Sequence, residues 1–103
     1  MSRTILALLL CCLPLLASAS GPRGRFRDIW QAEWAWRLQQ QPQFATSVGV
    51  HAYDDKLGEV GPDAQQYRLQ YWRAVLAQLD RIAPDMLDGA TRIDYLIYRA
   101  QIE

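Results

Sequence analysis

The sequence predicts an all-α chain: a three-helix antiparallel segment with a long loop between the first two helices. Three observations lead there. Apolar residues recur every three to four positions in three separate stretches, the spacing of one helix face. Proline and aspartate stand where those stretches begin and end. No stretch alternates apolar and polar residues for long enough to make a strand.

The first element lies outside the fold. Arg3 gives residues 1–19 a positive start, Ile5 to Leu16 is an almost unbroken apolar run, and Ala17-Ser18-Ala19 is a small-x-small cleavage pattern. That is the grammar of a secretory signal peptide cut after Ala19, so the expected location is periplasmic or secreted. The run falls short of the ~20 apolar residues a membrane span needs. No membrane association is expected after cleavage. Both cysteines, Cys11 and Cys12, leave with the signal, and the remainder has no thiol for a disulfide, a metal or a nucleophile. It carries ten basic and eleven acidic residues, a balance that attracts neither nucleic acid nor an anionic membrane.

Residues 20–25, small and Pro- and Gly-containing, read as a linker. The first helix is expected from Phe26 to Gln40, with Phe26, Trp30, Trp34 and Leu38 on one stripe and Ile29 and Trp36 on a second. The second is expected from Asp63 to Ile82. Pro62 suits its first position, where a missing N–H costs nothing, and Asp63 meets the positive end of the helix dipole. Tyr67, Tyr71, Val75, Leu79 and Ile82 line one side, widened by Leu69, Trp72 and Leu76. The third starts near Asp88, a side chain that caps free backbone N–H groups. It keeps its spacing through Ile93, Leu96, Ile97 and Ala100 to Glu103 with no Gly, Asn or Pro to end it. Residues 26–103 are therefore expected to be an incomplete N-terminal helical region of a longer protein. About 84 residues after the signal offer too little partner surface for helices this apolar.

Between the first two helices lies PQFATSVGVHAYDDKLGEVGP, far longer than the two to eight residues usual for such a connection. A short helical turn is expected near Phe44 to Val48. His51, Tyr53, Asp54 and Asp55 follow in close succession, and long irregular connections often carry function.

The run Pro42, Ala45, Thr46, Gly49, His51, Tyr53, Asp54, Asp55 and Leu57 resembles the N-terminal region of the bacterial family known as domain of unknown function 885. Arg92-Ile93-Asp94-Tyr95 is similar to the same family, as is the order of parts. The resemblance implies a large, mainly helical, zinc-peptidase-like protein whose His-Glu-led metal motif lies in its C-terminal half. In such a protein zinc-activated water attacks a peptide carbonyl, with a Glu as general base. This chain has one His and no His-Glu pair, and a zinc site takes three or four ligands. No catalytic residue, metal ligand or cofactor is therefore expected in it. The implied partners are the C-terminal catalytic region and, for the intact protein, a peptide substrate and zinc. His51, Tyr53 and Asp54 are candidates for the rim of that protein's substrate cleft.

Each candidate has a plainer reading. A lone His commonly holds a loop together, and adjacent Asp residues favour turns by bonding their own backbone. Trp30, Trp34, Trp36 and Trp72 invite a sugar platform, but their spacing within apolar stripes favours core. Thr46 and Ser47 lack a Gly-x-Ser-x-Gly elbow. Gly58, Gly61 and Gly89 read as turn residues, not a phosphate cradle. The alternative for the whole chain is a small secreted helical protein-binding module without catalysis.

Overall fold

The computed structural model describes residues 21–103. The signal-peptide reading therefore lies outside the described residues. The described chain is all-α, with four helices: α1 (Pro22–Gln40), α2 (Pro42–Ser47), α3 (Pro62–Asp80) and α4 (Gly89–Ile102). A single 3-10 turn at Pro84–Met86 joins α3 to α4. No strand occurs among the described residues, and none of these helices is long and apolar enough to cross a membrane.

α1 begins four residues earlier than its apolar stripe, so the stretch read as a linker is helical from Pro22. Pro22 occupies the first turn, where its fixed φ favours the helix and its missing N–H had no partner to lose. Pro62 plays the same part in α3. Asp88 caps α4 as its sequence position implies, accepting from the Thr91 N–H at 2.8 Å. α3 stops at Asp80, two residues short of the expected end.

The core gathers Phe26 from α1, Val75, Leu79 and Ile82 from α3 and its end, Leu87 from the connector, and Tyr95 and Ile102 from α4. Leu79 is fully enclosed, and the Tyr95 hydroxyl donates to its carbonyl at 2.8 Å. Phe26 meets Tyr95 edge-on at 5.6 Å between ring centroids. Trp36 stacks flat on Tyr71 at 3.7 Å and meets Trp72 edge-on at 5.4 Å. α2 packs on α1, with Phe44 edge-on to Trp34 at 5.7 Å. Buried Arg68 ties the long loop to this frame, donating to the carbonyls of Gln40 and Glu59.

The tryptophans divide. Trp36 and Trp72 are partly buried, as core spacing implies, while Trp30 and Trp34 remain 39% and 38% exposed. Tyr67, Leu69, Ile93, Leu96 and Ile97 are exposed as well. Periodicity places these residues on apolar faces, and nothing among the described residues covers those faces.

Candidate functional site

Two carboxylate networks stand out, one in the loop and one in the interior.

The loop network begins where α2 ends. Gly49 adopts φ of 89°, its N–H donates to the Thr46 carbonyl at 3.1 Å, and the Val50 N–H returns to Ala45 at 2.8 Å. This is a Schellman motif, whose left-handed position favours glycine. It reverses the chain so that His51 and Asp54 come back over α2. His51 Nδ1 lies 2.9 Å from Asp54 Oδ2, and the Thr46 hydroxyl donates to Asp54 Oδ1 at 2.6 Å. The Thr46 bond first, and the His51 contact after it, hold the Asp54 carboxyl below its ordinary range. Tyr53 is half-buried, with the Lys56 ammonium 5.7 Å from its ring centroid. Asp55 is exposed beside them.

The three sequence candidates therefore share one loop, and His51 and Asp54 touch. The order of contacts limits their chemistry. Asp54 stands between Thr46 and His51, so the hydroxyl proton goes to the carboxylate and not to the imidazole. A nucleophile needs its base on the hydroxyl itself. The Ser47 hydroxyl is spent on the Phe44 carbonyl at 2.6 Å. His51 and Asp54 offer two donors where zinc takes three or four, and no cluster of three potential ligands forms among the described residues. The residues present do not fit the metal that the resemblance implies for the intact protein.

The interior network centres on Glu33, which sequence reasoning missed. Its side chain is 1% exposed. Arg37, one turn on, donates to Oε1 through Nε at 2.9 Å and also through Nη2. The Trp72 indole N–H reaches the same oxygen from α3 at 3.3 Å. The other oxygen, Oε2, has no hydrogen-bond partner, and neither does the buried Tyr98 hydroxyl. Burial first, and the Glu33 charge second, push the Tyr98 phenol well above its ordinary value. It stays an O–H donor across the physiological range.

Glu33, Arg37 and Tyr98 line one side of a groove of about 470 Å³ between α1 and α4, completed by Phe26, Trp30, Trp34, Asp94 and Gln101. None of His51, Tyr53 and Asp54 lines it. A signal for Glu33 was present. At about 100° per residue it lies between Ile29 and Phe26 around the axis, on the inward face, with an Arg at i+4. A reading that sorts helix faces by apolar residues passes over a buried carboxylate.

Comparison with family models, with curated proteins and with solved structures yields no match to this chain.

Proposed function

We propose that this chain is the exported N-terminal helical part of a zinc-dependent peptidase-like protein, a scaffold for a catalytic region that the chain itself does not contain. Its long helices run antiparallel and form the front piece of a larger helical body. The observation that carries this reading is the uncovered apolar surface. Trp30, Trp34, Ile93, Leu96 and Ile97 are between 38% and 59% exposed on helices whose other faces are tightly packed. A monomer seldom leaves rings and branched aliphatic side chains grouped in water. The resemblance of the Pro42–Leu57 loop and of Arg92–Tyr95 names the kind of protein that would cover them. In it zinc sits in the C-terminal half, and His51, Tyr53 and Asp54 rim the peptide cleft from this side.

The test is to read the coding frame beyond Glu103 and to express both lengths. The extended protein is expected to bind zinc and cleave peptides, and residues 1–103 to do neither. Stoichiometric zinc on the short chain, or an extended protein without metal and peptidase activity, overturns the reading. The second reading, a secreted helical binding module, is favoured by one observation. Phe26, Leu79, Tyr95 and Ile102 already close a core shared by three helices. A cooperative monomeric melt of the short chain together with an in-frame stop would select it.

A further inference from the structure

The α1/α4 groove joins three properties seldom found together: aromatic walls, a buried carboxylate oxygen without a partner, and an excess of negative charge. Glu33 and Arg37 neutralise each other through Oε1, which leaves Asp94 as the uncompensated charge of the lining. Glu33 Oε2 and the Tyr98 hydroxyl are buried as neighbours in that lining, without a well-formed hydrogen bond to each other or to any other group. A buried polar atom left unpaired is costly, so a donor brought to it is rewarded. The half-exposed indoles of Trp30 and Trp34 supply π faces that attract a cation. Trp34 already holds one: the Arg37 guanidinium carbon lies 6.0 Å from its ring centroid. Next round α4, Ile93 and Ile97 are exposed at 59% and 53%. They lie outside the groove lining, one position before Asp94 and Tyr98 along α4.

We propose that this groove docks an apolar polypeptide segment that presents one basic side chain, arginine or lysine, to the Glu33–Tyr98–Asp94 end. The aliphatic part lies along Ile93 and Ile97, and the cationic head enters between the tryptophans and donates to the unpaired oxygens. Arginine fits best, because its planar fork stacks on indole and bonds two acceptors at once. The proposal rests on the reading that a further polypeptide covers this side of the chain, and it names the chemistry that polypeptide must carry.

The experiment titrates the 103-residue chain, followed by calorimetry and tryptophan fluorescence, with a ten-residue leucine-rich peptide carrying one central arginine. A twin peptide carries neutral citrulline in its place. The arginine peptide is expected to bind at least tenfold more tightly. Asp94→Asn and Trp34→Ala alter exposed positions and are expected to keep the fold, checked by circular dichroism, while erasing most of that preference. Tyr98→Phe is expected to reduce it severalfold. Equal affinity for the two peptides overturns the proposal, as does a preference untouched by Asp94→Asn and Trp34→Ala. Self-association of the chain through this face that neither peptide competes away overturns it too. The outcome is separable from that of the parent reading. Charge-selective binding with no zinc peptidase in the extended protein sinks only the latter, and an active extended protein with no peptide preference sinks only the former.

Discussion

Glu33 and Asp54 are both carboxylates held by one cation-capable neighbour and one neutral donor, yet they live in opposite solvents. Glu33 is 1% exposed and bridges two helices, with Trp72 arriving from 39 residues away. The Asp54 side chain is 47% exposed, and all its partners lie within eight residues. In the dry interior a carboxylate is tolerable only while its partners stay, and removing one strands a charge at a cost of several kcal/mol. In water the same removal is answered by solvent, and such pairs contribute little. The first network therefore decides whether the helices stay together. The second decides only how a loop is shaped.

The comparison breaks most directly at Arg37. Arg37→Leu is expected to destabilise the chain by about 3 kcal/mol, since Glu33 keeps only the Trp72 bond. The double change Glu33→Met with Arg37→Leu is expected to recover most of that loss, because it removes the stranded charge along with its partner. Urea melts of the two variants check this, and a double variant no better than the single one would show that the pair, and not the stranded charge, matters.

Gly49→Ala comes next. No atom beyond the adjoining residues lies within 4 Å of the added methyl, so the effect is the strain of φ at 89°. About 1 kcal/mol of stability should go, or some 4–8 °C in melting temperature if loop and helices unfold together. A loss confined to exchange protection around 48–56 would instead show the loop opening by itself.

A pH titration separates the two networks again. The Tyr98 phenol is raised by burial, so its contribution is complete below the unfolded value of about 10 and fades as pH climbs beyond it. Thermal melts should drop above about pH 10, and less steeply in Tyr98→Phe. Asp54 and Asp88 have lowered values, Asp88 chiefly through the Thr91 backbone N–H. Their contributions are complete above the ordinary value of 3.8 and fade as pH falls through the lowered ones. The smallest expected effect belongs to Asp54→Asn, whose melt at neutral pH should fall only slightly below that of the parent chain. A clear drop there would make the loop part of the frame.

Much of the fold was written in local chemistry. Pro62 and Asp88 mark their helix starts because a missing N–H and a capping carboxylate act within one turn. His51 and Asp54 share a loop in the sequence, but their contact depends on the chain reversal at Gly49. Pro22 does not announce its helix, because proline followed by arginine and glycine fits a linker as well as a first helical turn. Glu33 was passed over because its defining partner, Trp72, is distant in sequence. The exposure of Trp30 and Trp34 was not legible at all. Spacing says which side chains share a face, and only packed neighbours say whether that face is dry.

Residue-resolved hydroxyl-radical footprinting tests most directly whether that face is meant to be covered. Trp30, Trp34 and Ile97 are expected to label strongly in the 103-residue chain. The same three are expected to be protected in the frame-extended protein, with Leu79 and Tyr95 protected in both. Equal labelling of Trp30, Trp34 and Ile97 in the two proteins would mean that nothing covers this face.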